Sequence, residues 1–306
     1  MSQQPFYLCG TTASGKTSLA LALAREADGE VVNADAFQVY RGLGVLSAAP
    51  SVEELAQCPH HLFGIRNLDE PMDAAKYAAL AESVIADILE RGKLPIVVGG
   101  SGLYLKFLTH GIAEAPGGDP AIRAELDALP VDEVLRRLKE LDPEEAFRQN
   151  QQNHRHLSRA LEICLITGGK ASDLRKNFED PKKVANLRGI ALCWPREVLA
   201  ERIALRTSQM LAGGAIEEVA ALPKDAQTAR QAIGVKEIEA FLAGEMTREE
   251  CEERITISTR QYAKRQRNWF RRESWLMSID GSLAIEDQVR QSTLSWLRDP
   301  RADTRG

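Results

Sequence analysis

The sequence predicts an α/β protein in which a parallel sheet is flanked by helices and interrupted by a helical insertion. Three observations carry this. Short apolar runs at Phe6 to Cys9, Glu30 to Ala34, Pro95 to Val98, Gly189 to Trp194 and Ser274 to Ile279 have the length and composition of buried strands. Long stretches with helical periodicity separate them, as in a sheet built from strand–helix–strand crossovers. From about Pro116 to Pro181 the strand signal vanishes, and the chain reads as successive helices broken at "LPVDE", "LDPEE" and "TGGKASD".

The first strand runs into "CGTTASGKTS", where Gly10, Gly15, Lys16 and Thr17 have the spacing of a phosphate-binding loop. A strand before it and the helical "SGKTSLALALARE" after it supply the context that motif requires, so the sheet is expected to be P-loop NTPase-like. In such a loop backbone N–H groups and the positive helix end surround a phosphate, the lysine adds a point charge, and the Thr17 hydroxyl can ligate magnesium. The motif alone leaves open whether a triphosphate or a diphosphate is held.

Asp35 follows the second strand at the sheet edge where ligands bind in open α/β sheets. It suits a general base, a magnesium ligand, or a cap on the turn "DAFQVY". His60 and His61 are adjacent, point apart on most backbones, and are read as shaping the turn after the second strand. The segment Asp73 to Arg91, closed by Gly92, reads as a helix with an aspartate cap and a terminal glycine. "PIVVGGSGLYLKFL" is a further strand, glycine-rich turn and helix opening, which puts Ser101 on the same edge as the phosphate loop; glycines are also common at any tight turn.

The Pro/Gly-rich "EAPGGDP", residues 114 to 120, marks the start of the insertion, assigned to 116–186, with 1–115 and 187–306 forming the core. After the next strand, Arg202 and Arg206 lie four apart on one helix face. They are either solvated charges or a cationic pair that stabilises charge on a leaving group. In "RITISTRQYAKRQRNWFRR", Arg260, Lys264, Arg267 and Arg271 form one stripe and Ile255, Tyr262 and Trp269 an opposing apolar line. This is either a solvated helix face or a rail for nucleic-acid phosphates.

Composition bounds the rest. The chain has 306 residues, 44% hydrophobic and 27% charged, enough for one large core and a smaller appended unit. No segment approaches the roughly 20 apolar residues that span a bilayer, and "MSQQPFYLCG" lacks the pattern of a secretory leader, so no membrane association and a cytoplasmic location are expected. The five cysteines are scattered and never in C-x-x-C spacing, which argues against a disulfide framework or a zinc site. The net charge of −5 argues against a protein that coats nucleic acid, yet Arg254 to Arg272 holds seven basic residues and no acid.

Taken together, "GTTASGKT", "DAFQVY", "PHHL", "PIVVGGSGLYL", "HRHLSRALE", "RQAIGVKE" and "TRQYAKRQRNWF" resemble, in order and over nearly the whole chain, the bacterial tRNA dimethylallyltransferase (tRNA isopentenyltransferase) family. The resemblance implies transfer of a five-carbon group from dimethylallyl diphosphate to N6 of the adenosine next to the anticodon, releasing diphosphate. It implies that Gly10, Thr11, Thr12, Ala13, Ser14, Gly15, Lys16 and Thr17 hold the diphosphate with Mg2+ on Thr17. Thr12 would contact the bridging oxygen, Asp35 would accept the N6 proton and Arg206 would stabilise the leaving group.

Contacts to the tRNA anticodon stem-loop are implied at Asp35, Ala36, Phe37, Gln38, Ser101 and Arg123. Others fall on Arg155, His156, Leu157, Ser158 and Arg159, and on Arg230, Gln231, Ala232, Ile233, Gly234 and Val235. A last set falls on Thr259, Arg260, Gln261, Tyr262, Ala263, Lys264, Arg265 and Gln266. A monomer is expected. The chain departs from the family pattern at Thr11 (proline), Ala36 (serine), Ala49 (lysine), Ser101 (threonine), His156 (arginine) and Val235 (tyrosine). Two other functions share parts of the pattern: a P-loop small-molecule or nucleoside kinase, and a divergent paralogue that binds tRNA without modifying it.

Overall fold

The computed structural model describes residues 4–111, 116–178, 182 and 184–297. Residues 114 and 115 of the predicted boundary, and Pro181 at the end of the strand-free stretch, lie outside them. The chain divides into two compact units, Met1–Thr109 with Ala185–Gly306, and His110–Val184.

The larger unit begins β1 (Phe6–Gly10), α1 (Lys16–Glu26), β2 (Gly29–Asn33), α2 (Gly44–Ser47), α3 (Val52–Leu55), β3 (His60–His61), α4 (Ala74–Glu90), β4 (Leu94–Gly99) and α5 (Gly102–His110). After the insertion it continues β5 (Arg188–Cys193), followed by helices at Arg196–Ala212, Ala215–Ala220, Val235–Leu242 and Arg248–Phe270, then β6 (Leu276–Asp280) and a helix at Ile285–Leu297. All six strands are parallel, in the order β3-β2-β4-β1-β5-β6.

Strand alternation explains why both faces are covered. Phe6, Leu8, Val31, Ile96 and Ile190 pack with Leu19, Ala20 and Leu23 of α1 on one side. Tyr7, Cys9, Val32, Val97 and Ala191 pack on the other with Tyr77 of α4 and Leu105 of α5. Since β1 is central, the turns after β1, β2 and β4 open at one sheet edge and form one crevice.

α4 starts where the sequence indicates: the Asp73 side chain accepts from Lys76 N at 2.8 Å and Gly92 follows with φ of 72°. The histidine pair is not a turn. His60 and His61 form an edge strand on β2, because His61 Nε2 is held 2.7 Å from the buried Glu30 carboxylate. The second ion partner of Glu30 is Arg91.

The smaller unit contains α6 (Pro120–Asp127), α7 (Val131–Leu141), α8 (Pro143–Arg148), α9 (His154–Thr167) and α10 (Ala171–Phe178). With the remaining helices of the larger unit numbered onward, those at Arg196–Ala212, Ala215–Ala220, Val235–Leu242, Arg248–Phe270 and Ile285–Leu297 are α11 to α15. The insertion has its own core of Leu126, Val134, Leu138, Leu157 and Leu161. Buried carboxylates tie its helices together: Asp142 accepts from Ser172 N at 2.7 Å, and Glu162 pairs with Arg123 and Arg159.

Arg91 and then His61 hold the Glu30 carboxyl down at about 2, against the opposing effect of burial. A depressed carboxyl stabilises the fold above its unfolded value and loses that effect as pH falls from about 4.5 towards 2. Glu30→Gln is therefore expected to lower the urea midpoint at neutral pH. The gap to the wild type should narrow through that acid window; a gap independent of pH would contradict this.

Candidate active site

The loop between β1 and α1 is held in a conformation that exposes amides. Ala13 and Gly15 have φ of 60° and 89°, left-handed values that glycine tolerates and alanine adopts at a cost. The first N–H groups of α1 have no intrahelical acceptor and carry the positive end of the helix dipole, which suits a phosphate. Lys16 Nζ donates to Gly10 O at 3.0 Å and Thr11 O at 2.7 Å. Burial lowers its pKa to about 8, with Asp35 acting against that shift and Arg206 adding to it. The hydroxyls of Thr11 and Ser14 are buried without a hydrogen-bond partner among the described residues, and Gly10 and Thr11, unlike Thr12 to Thr17, do not line the cavity described below.

Side chains from far along the chain clasp this loop. Arg206 Nη1 donates to Thr12 Oγ1 at 2.8 Å, and Arg202 Nε donates to Ala13 O at 2.8 Å. The two arginines predicted on one face of α11 thus both reach the loop. Arg202 also lies over the Trp194 ring, 4.3 Å from its centre, and Trp194 Nε1 donates to Ser14 O at 2.9 Å. From α14, Gln266 Oε1 accepts from Thr12 N at 2.8 Å. Trp194 and Gln266 carry no motif that marks this role. Burial lowers the Arg206 pKa while Asp35 opposes that shift, but a guanidinium remains protonated at neutral pH.

Asp35 is fixed by its backbone. The side chain of buried Asn33 accepts from Asp35 N at 2.8 Å and donates to Leu62 O at 3.0 Å. Tyr77 OH donates to Asn33 O at 2.9 Å. One carboxylate oxygen accepts from Phe37 N at 2.9 Å, so Asp35 does cap its turn. It also lines, with Thr12, Lys16, Thr17 and Arg206, a cavity of about 210 Å³ whose apolar wall includes Leu46, Met210 and Ile255. Capping and a chemical role therefore coexist, one oxygen serving the turn.

Of the other predicted residues in the larger unit, Phe37, Gln38, Ala232, Ile233, Thr259, Tyr262 and Gln266 line the same cavity. Ser101 Oγ accepts from Ala36 N at 2.9 Å. Burial pushes the Tyr262 phenol up. Arg260, Gln261, Lys264 and Arg265 lie on the exposed face of α14, whereas Ala263 and Gln266 are buried. Arg230 pairs with Glu239, Gln231 is exposed, Val235 is buried, and Gly234 has φ of 103° before α13. In the insertion Arg155 and His156 are exposed, while Leu157 and Ser158 are buried in its core and Arg123 and Arg159 are paired to Glu162. The structure thus brings together one set of residues around the cavity in the larger unit and a second set within the insertion.

Among the described residues no group of three or more His, Cys, Asp or Glu side chains forms a metal cage. The donor set at the cavity, one threonine hydroxyl beside one carboxylate, fits magnesium, which is commonly held by few protein oxygens together with substrate phosphates and water. No described helix is long and apolar enough to cross a membrane.

The family model described as IPP transferase matches residues 38–273. A tRNA dimethylallyltransferase of Akkermansia muciniphila is 41% identical over 278 residues, 90% of this chain and 93% of that protein. A full-length tRNA isopentenylpyrophosphate transferase of Bacillus halodurans has a similar structure, with a TM-score of 0.70, 33% identity and coverage of 96% of this chain and 95% of that one. A eukaryotic dimethylallyltransferase acting on tRNA has a TM-score of 0.75 at 28% identity, covering 90% of this chain and 73% of that one.

The lowered Lys16 pKa makes anion binding proton-linked. An anion favours the ammonium form, so at about pH 8.5 binding of inorganic diphosphate should draw a proton onto Lys16. Titration calorimetry in two buffers of unlike ionisation heat is expected to show more proton uptake for the wild type than for Lys16→Arg. Equal uptake would contradict the assignment.

Proposed function

This chain belongs to the IPP transferase family and is a tRNA prenyltransferase, and we propose that it transfers the dimethylallyl group of dimethylallyl diphosphate to N6 of the adenosine 3′ of the anticodon. The observation that carries the reading is the convergence of Thr12, Lys16, Asp35 and Arg206 on one cavity, with an exposed cationic helix face beside it. A kinase would leave that face of α14 without a role. A protein that only binds tRNA would have no need of the carboxylate.

In this reading the amides of the β1–α1 loop and Lys16 bind the diphosphate. The Thr12 hydroxyl, receiving a hydrogen bond from Arg206, faces the oxygen that bridges the diphosphate to the prenyl carbon. Thr17 would hold Mg2+, which when bound neutralises diphosphate charge. The N6 lone pair attacks the first prenyl carbon as its bond to the bridging oxygen breaks. The electron pair leaves on diphosphate, where Arg206 and Lys16 stabilise it, and the N6 proton passes to the Asp35 carboxylate.

The adenine must leave the anticodon-loop stack to reach the cavity, at a cost of a few kcal/mol. Phosphate contacts from Arg260, Lys264 and Arg265 on α14 and from Arg155 in the insertion would offset it. The tRNA substrate supports a cytoplasmic location.

Incubation with unmodified tRNA, magnesium and dimethylallyl diphosphate, followed by digestion and mass spectrometry, should give prenylated adenosine. ATP-dependent phosphorylation of a small molecule without that product would overturn the reading. Asp35→Ala should cut the rate by about 10²-fold or more, the usual worth of a general base; comparable turnover would remove Asp35 from that role. Reversing charge at Lys264 and Arg265 should weaken tRNA binding and flatten its salt dependence while sparing diphosphate binding. Unchanged tRNA affinity would make this a solvated helix face.

A further inference from the structure

We infer that Gln266 is a positioning residue, which fixes the phosphate-binding loop at Thr12 from within the helix that carries the cationic face. The inference rests on the prenyl-transfer reading for what Thr12 does, and on the geometry alone for what Gln266 does.

Gln266 is 5% exposed and lines the cavity, so it does not belong to the outer cationic face of the helix. Its amide bonds in two opposite directions, and the Tyr262 phenol also contacts it. Oε1 accepts from Thr12 N at 2.8 Å, and Nε2 donates to Gly100 O at 2.8 Å. These two partners fix which end is oxygen, because a backbone N–H only donates and a carbonyl only accepts. The fit is close: a Cβ on Gly100 would lie 2.2 Å from Nε2. One side chain thus ties together the turns that follow β1 and β4, and it does so from a position 254 residues beyond Thr12.

The consequence for Thr12 is specific. The Thr12 N–H is taken by Gln266, which sets the rotation of the residue about its backbone. Arg206 then holds the hydroxyl of the same residue. Two restraints on one residue aim Oγ1 at a fixed point in the cavity, which is how a supporting group contributes to a reaction without touching the reacting atoms. Because α14 is one continuous helix of 23 residues, the element that presents Arg260 and Lys264 outwards also carries the strut inwards.

The test separates hydrogen bonding from packing. Gln266→Met keeps the length of the side chain and removes both hydrogen bonds. Gln266→Glu restores both when its carboxyl is protonated, since O–H can donate to Gly100 O while the other oxygen accepts from Thr12 N. When ionised it can only accept, and it faces a carbonyl. The ionisable groups around that point are Tyr262 on the same helix and Lys16, Asp35 and Arg206 across the cavity.

In single-turnover prenylation at saturating tRNA, Gln266→Met should lower the rate about tenfold or more, with tRNA affinity by filter binding kept within about twofold. The ratio of Gln266→Glu to wild-type rates should fall about fivefold or more from about pH 6 to about pH 8.5, as its carboxyl ionises. A Gln266→Met rate within about twofold of wild type would overturn the inference, as would parallel loss of tRNA binding or a Gln266→Glu profile that tracks the wild type. If the wild type itself makes no prenylated tRNA, the functional reading fails separately. The strut is then read from inorganic diphosphate affinity, which Gln266→Met should weaken about fivefold or more, equal affinity refuting it.

Discussion

The clasp on residues 12 to 14 is the constraint on which the site depends. Each of these three residues is engaged through its backbone by a side chain from far along the chain: Thr12 N by Gln266, Ala13 O by Arg202 and Ser14 O by Trp194. A loop with a non-glycine residue in left-handed conformation does not keep that shape unaided. Because the clasp takes the carbonyls of Ala13 and Ser14, the first N–H groups of α1 stay available to a ligand. Placing β1 between β4 and β5 makes this possible, since α11 follows β5 and α14 precedes β6.

This arrangement fits the proposed reaction, in which a phosphate loop would serve a departing group. In phosphoryl transfer the loop steadies a group that is attacked at phosphorus. In prenyl transfer the bond that breaks is at carbon, and the loop needs only to bind the diphosphate and accept its growing charge. Arg206 contacts Thr12 Oγ1, the atom assigned to the bridging oxygen, and Asp35 stands on the same cavity with one oxygen free of its turn. The apolar wall of Leu46, Met210 and Ile255 suits a hydrocarbon and lends a ribose-triphosphate nothing.

Much of this was legible in the residues. The phosphate loop has an ordered motif between a strand and a helix, Asp35 follows the next strand, and the arginines of α11 share a face; each is a local pattern, readable at short spacing. The family resemblance supplied the chemistry, and the relatives at 41% and 33% identity bear it out. What local patterns do not encode is pairing across the chain. Gln266 and Trp194 meet the loop over separations of 254 and 180 residues, and neither residue type announces a strut. The His60–His61 strand was missed for another reason: two residues carry no periodicity, and only the buried Glu30 opposite explains their place. Of the predicted stripe on α14, Arg260, Lys264 and Arg271 are exposed but Arg267 is half-buried with its Nε buried, and the inward line includes Gln266, a polar residue that hydropathy assigns to the surface.

In the proposed transfer the held Thr12 marks the bond to be broken. A crystal structure with magnesium and a thio-analogue of dimethylallyl diphosphate, sulfur replacing the bridging oxygen, tests it most directly. The bridging sulfur should lie within about 3.5 Å of Thr12 Oγ1, with the first prenyl carbon turned towards Asp35. A diphosphate seated in the loop with its prenyl chain directed away from Asp35, and Thr12 facing a terminal oxygen, would contradict it.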